Sequence, residues 1–184
     1  MAGNREFDRE LLKELVRFIA WNTRDDPSFG RVKLAKVLFY TDLSVYAEEG
    51  QALTGAVYQH WQHGPVPPVL YDIEDELESE GLAEVTGPAA GEPGTNKLSV
   101  RERPPMNRFD AWEAWQRQVV ERWIERIGGS GAWKVSDASH LHPGWKLTEL
   151  YEEIPYHVAF ISRRQPTQGD LDRGEQLAAE HGWP

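Results

Sequence analysis

The chain contains no cysteine. Disulfides, thiolate zinc sites, iron–sulfur clusters and a thiol nucleophile are thereby excluded. No apolar run approaches the roughly 18 residues that a membrane span needs. Residues 1–20 interleave Arg5, Glu6, Asp8, Arg9, Glu10, Lys13 and Glu14 with apolar positions. A signal peptide is therefore not expected, and the expected compartment is the cytoplasm. Positive charge is scarce: 20 Lys and Arg against 30 Asp and Glu give a formal net charge of −10. Broad phosphate-backbone binding rests on clustered Lys and Arg, so nucleic acid is not the expected partner. Neither GxGxxG nor GxxxxGK[ST] occurs, and the glycines at 128, 129 and 131 follow a helical pattern and read as a helix stop.

What is present describes a folding chain. Apolar residues make up 40% and aromatics 11%, with eight Trp, far from a disordered acidic tail. At this length roughly 70% of the unfolded surface can be buried without a staple. Apolar spacing predicts a first helix over about 7–23, N-capped at Asn4 and stopped by Asp25-Asp26-Pro27. A second helix, from Ser28 or Arg31 to Glu49, leaves little polar face and belongs in the core, with Gly50 as its stop. Its early residues Arg31, Lys33 and Lys36 oppose the helix dipole, a mild conflict that hints at function. Residues 56–63 alternate as a strand, and Gly64–Pro68 read as a stiff turn.

A third helix is expected over 67–80, then short strands at 82–86 and 97–101 around a Gly/Pro-rich loop. A fourth helix is expected at 108–127, carrying Phe109, Trp112, Trp115 and Trp123 inward. A fifth spans 133–141, a short sixth 145–151, and a terminal helix 170–181. The expectation is an α+β, predominantly α-helical single domain over 1–184. About six helices would pack around one small antiparallel sheet drawn from segments near 57, 83 and 98.

A search for chemistry finds little. His60 and His63 would point to opposite faces of a strand, and His140 and His142 have no third ligand at metal spacing, so no metal or cofactor is expected. There is no GxSxG elbow. A set of Ser136, Asp137 and His140 could be drawn, but any chain this size offers one, and no catalysis is expected. Between residues 72 and 84 stand seven acids without one base: Asp72, Glu74, Asp75, Glu76, Glu78, Glu80 and Glu84. They read either as a solvated helix face or as a docking face for a basic partner. Trp61, Trp133, Trp145 and Trp183 lie at element edges, where aromatic anchors of interfaces occur.

Two stretches carry a family resemblance. KLAKVLFY at 33–40 followed by YQHWQHGPVPPVLYDI at 58–73 is similar to the Panacea domain of SocA-like antitoxins, and SHLHPGWKL at 139–147 resembles that family's later segment. IPYHVAF at 154–160 is also similar, so the resemblance runs over about 7–180. It implies a mainly helical fold with a small sheet. It implies a non-enzymatic antitoxin that neutralises a cognate protein toxin, encoded next to it, by direct contact. The family's namesake also acts as an adaptor that delivers its toxin to a Clp-type protease. By motif, Lys33, Lys36, Tyr40, Trp61, Gly64, Pro65, Val66, Tyr71 and Trp145 correspond to signature positions. Lys33 and Lys36 suit internal pairing or toxin contact, and Gly64-Pro65-Val66 a turn or a contact. Asp72, Asp75 and Glu76 join these as partner-binding candidates on the acidic face. Against this stand a DNA-binding autorepressor, disfavoured by the net charge and a linker too long for a helix-turn-helix, and a small hydrolase using His140 or His142.

Overall fold

Seven α-helices and two β-hairpins make up the structure, a computed structural model that describes residues 6–88, 96–104, 113–161 and 167–182. Asp8 caps the first helix, α1 (Arg9–Asn22), by accepting from Leu11 N–H at 2.9 Å. The cap is thus Asp8, whose short carboxylate reaches an orphan N–H of the first turn. Asn4 lies outside the described residues. The centre of the molecule is α2 (Arg31–Glu49), which packs against α1, α4, α5 and the first hairpin. It ends at Gly50, whose φ of 70° is the left-handed conformation of a helix stop.

The strand expected over 56–63 is shorter and has a partner. β1 (Gln59–Trp61) pairs antiparallel with β2 (Gly64–Val66), so the Gly-Pro segment is a strand and Gln62-His63 form the turn. Pro65 is tolerated there because it sits on a short edge strand, where a missing N–H costs little. α3 (Val69–Ser79) follows, then a second hairpin of β3 (Ala83–Thr86) and β4 (Lys97–Val100). The single sheet expected from segments near 57, 83 and 98 is therefore two separate hairpins. Each closes on its nearest neighbour in sequence, and β1 spends its other edge on a bridge from Gln59 to Glu153.

α4 (Ala114–Gly128) begins where description resumes, so the expected start at 108, with Phe109 and Trp112, lies outside the described residues, as does Trp183. α5 (Ala132–His140) matches expectation. α6 (Pro143–Lys146) starts earlier and is shorter than the expected 145–151. Pro143 occupies its first turn, and His142 caps it by accepting from Gly144 N–H at 3.1 Å. A 3-10 helix at Tyr156–Phe160 and α7 (Gln168–His181) complete the chain. Leu12, Leu15, Ile19, Val37, Leu38, Phe39, Leu70 and Ile73 form the dry core. No helix among the described residues is long and apolar enough to cross a membrane.

Candidate functional site

The dipole conflict in α2 is resolved by tertiary partners. Lys33 and Lys36 are both 0% exposed. The Lys33 ammonium donates to Ser28 Oγ at 2.8 Å and to the Gly128 carbonyl at 3.1 Å, and pairs with Asp26 at 3.3 Å. Gly128 closes α4, so Lys33 supplies positive charge to the negative end of a neighbouring helix. Lys36 donates to the Pro65 carbonyl at 3.0 Å. Gly64 (φ 95°) packs so closely that an added Cβ would lie 2.6 Å from Lys36 Cε. The KLxK and GPV segments thus meet as one joint that seats the hairpin on α2. Lys33, Lys36, Gly64, Pro65 and Val66 are interior, and both lysines have internal partners.

Burial pulls the Lys36 amine down to about 7. Unfolded, the same amine keeps its proton up to the ordinary value of 10.5. Between those values the unfolded chain binds more protons, so stability rises with pH across the window from about 7 to 10.5. In Lys36→Met this contribution is absent. Urea denaturation of both chains at pH 7, 8, 9 and 10 should show a wild-type curve that climbs relative to the variant. Parallel curves would mean that Lys36 is charged in the fold.

A second buried constellation was not legible in the sequence. Asp42, fully buried on α2, accepts from Thr54 N–H at 2.7 Å, Thr54 Oγ1 at 2.5 Å and Tyr58 OH at 2.8 Å. Tyr156 OH stands 3.4 Å away and donates to the Ala56 carbonyl at 2.6 Å. Burial pushes the Asp42 carboxyl above the ordinary carboxylate range, while the donors around it pull the other way. Burial and the neighbouring Asp42 push both tyrosine hydroxyls upward. The cluster ties α2, residues 54–58 and the 3-10 helix together.

Outside this interior, the hairpin presents an aromatic ladder. Trp61 stacks on Tyr71 of α3 at 5.6 Å and meets the edge of Tyr151 at 5.9 Å. Arg31 lies 4.6 Å from the Tyr71 ring and pairs with the buried Glu74. These residues, with Val32, Gln62, His63, Val66 and Asn96, line an open groove of about 400 Å³. Asp75 is exposed one turn beyond Tyr71, and Asp72 is exposed on the face of α3 where its charge acts on Arg9 of α1. Tyr151 is 63% exposed and has a φ of 69°, a conformation rare for a residue with a side chain.

The remaining candidates lie elsewhere. Trp145 is clamped between His60 (4.2 Å) and His140 (4.1 Å), and its indole N–H donates to the Trp61 carbonyl at 3.2 Å. It holds the hairpin from behind. Tyr40 stacks on Trp123 at 4.6 Å, on the α4 side of α2. Glu76 pairs with Arg9 and Lys13, and Glu80 with Lys13, so α1 neutralises part of the acidic run. Arg31 and Tyr151 escaped the sequence reading. Arg31 stands beside the lysines in sequence while its partner Glu74 lies 43 residues away, and nothing near Tyr151 marks it.

Fold and site define a class: a mostly helical α+β protein in which a buried lysine seats a β-hairpin, and the hairpin displays an aromatic groove. The family model described as antitoxin SocA-like, Panacea domain, matches residues 34–146, and the chain belongs to that family. The match spans KLxK from Leu34 onward, GPV and the Pro-Gly-Trp-Lys segment, and leaves out 154–160, so it is narrower than the resemblance over 7–180. No curated protein and no solved structure matches the chain.

Proposed function

We propose that this protein is the antitoxin of a toxin–antitoxin pair, and that it neutralises its cognate toxin in the cytoplasm by direct contact through the groove of Trp61 and Tyr71. The observation that carries this reading is the open, aromatic-lined groove on a chain of the SocA-like family. Trp and Tyr are the usual energetic anchors of interfaces. Asp75, one turn beyond Tyr71, suits a basic toxin surface, and unlike Glu76 neither it nor Asp72 has an ion-pair partner within 4.0 Å among the described residues. In this reading Lys33, Lys36, Gly64, Pro65 and Trp145 act from behind by fixing the hairpin, Val66 forms part of the groove wall, and the protein performs no catalysis itself.

The test is co-expression with the product of the adjacent reading frame. Wild type should restore growth and bind that product. Trp61→Ala with Tyr71→Ala should weaken binding by about 100-fold, the loss of two interface anchors, while far-UV circular dichroism stays unchanged. A neighbouring product that is harmless alone, or whose toxicity this protein leaves untouched, would overturn the reading. Delivery to a Clp-type protease, as opposed to occlusion, would show as a toxin half-life that lengthens when the protease is deleted.

A further inference from the structure

Farther along α2 from the Lys36–Pro65 joint, three adjoining hollows of about 390, 360 and 180 Å³ meet at Trp123 and Arg126. We infer that this α2–α4 groove is a second recognition surface, built to take a carboxylate-rich peptide segment with an apolar anchor.

The charge there opposes that of the molecule. Arg122, Arg126 and Lys134 are exposed on a chain of net charge −10. None of the three has an ion-pair partner within 4.0 Å among the described residues. Arg122 and Arg126 stand one helical turn apart and face one groove, a spacing that suits two carboxylates on one segment. The floor is Ala47 and Val119, room for one aliphatic side chain between the charges.

An aliphatic anchor is what the Ala47–Val119 floor fits, and of the two indoles lining the groove, Trp115 and Trp123, the second is already covered. Single strands are held by free aromatic faces. Here the Trp123 ring is already stacked on Tyr40 at 4.6 Å, and the Arg126 guanidinium lies 5.2 Å from its centre. The indole N–H donates to Ser44 Oγ at 2.9 Å. Trp123 is thus a fixed wall that orients Arg126, with its polar edge satisfied. Glu48 on the rim is the one acid of this lining and leaves the two arginines in excess.

The probe is a fluorescein-labelled 12-residue peptide in which Asp and Glu surround Leu at helical spacing, titrated with the full chain at 50 and 300 mM salt. Micromolar binding that weakens at the higher salt is expected. Arg122→Glu with Arg126→Glu should reduce it at least tenfold, and Ala47→Gln, which fills the floor without adding charge, should also reduce it. Circular dichroism checks that each variant is folded. No binding at 100 µM, or equal binding by the charge-reversed chain, overturns the inference. Tighter binding of a dT12 oligonucleotide would make the groove a nucleic-acid surface. A dimer in light scattering that Arg122→Glu with Arg126→Glu dissolves would make it a self-interface. Both outcomes also overturn it. No toxin is needed, so this inference and the antitoxin reading fail independently.

Discussion

Gly64→Ala should cost about 2–5 kcal/mol of unfolding free energy and unseat the β1–β2 hairpin. Two effects combine. A φ of 95° puts an L side chain in the left-handed half of conformational space, at roughly 1–2 kcal/mol. The new Cβ also collides with Ser139 Oγ and presses on Lys36 Cε and Nζ, overpacking worth about 1–3 kcal/mol. Lys36 cannot yield cheaply, because its amine donates to the Pro65 carbonyl. The measurement is a urea midpoint. Ser139→Gly in the Gly64→Ala background should recover part of the loss, since it removes the hydroxyl in the way. An unchanged midpoint in Gly64→Ala would mean that the hairpin does not sit on α2 as described.

Asp42→Ala should be comparably severe, at about 3–5 kcal/mol. The substitution removes the acceptor for the Thr54 N–H, the Thr54 hydroxyl and the Tyr58 hydroxyl, all fully or almost fully buried. Water has no path to replace it. Tyr58→Phe deletes one donor and leaves the carboxylate with the others, so it should cost only about 1 kcal/mol. Thermal melts separate the cases: a fall of about 10 °C or more for Asp42→Ala and a few degrees for Tyr58→Phe. Equal small shifts would show that the carboxylate is no hub. Both variants leave the Trp61–Tyr71 groove chemically intact, so toxin binding at low temperature should survive where the fold does.

The helices were legible where one amphipathic stripe and its punctuation coincide. For α2, near-continuous apolar residues and a Gly50 stop locate its end at Glu49. For α3, Pro67-Pro68 and Gly81 bracket it. Legibility failed where local and tertiary signals compete. Gly64-Pro65 carry turn chemistry, yet become a strand because Gln62-His63 can make the tighter turn and Lys36 takes the Pro65 carbonyl. The sixth helix starts earlier than its apolar pattern suggests because Pro143, a residue that elsewhere breaks helices, occupies its first turn. The acidic run looked unopposed because Arg9 and Lys13, its partners at Glu76 and Glu80, stand 67 residues earlier.

The candidate site divides along the same line. KLxK, GPV and the later Pro-Gly-Trp-Lys segment were sufficient to place the chain among the SocA-like antitoxins, and the family match over 34–146 agrees. Motif letters carry no depth, however. Lys36 and Trp61 both stand in signature positions, but one is sealed in the interior and the other borders an open groove.

By itself, then, the sequence determined the periodic elements, the family, and the excluded chemistries that depend on thiols or phosphate loops. Those follow from local spacing and residue type. Only the tertiary structure decided which charges are spent and which are offered. Lys33, Glu74 and Glu76 are matched by partners brought from distant segments, while Asp72, Asp75, Arg122 and Arg126 face solvent. The physical reason is that a charge's role depends on its distance to opposite charge and on its access to water, and both are set by packing between elements that the chain order does not join.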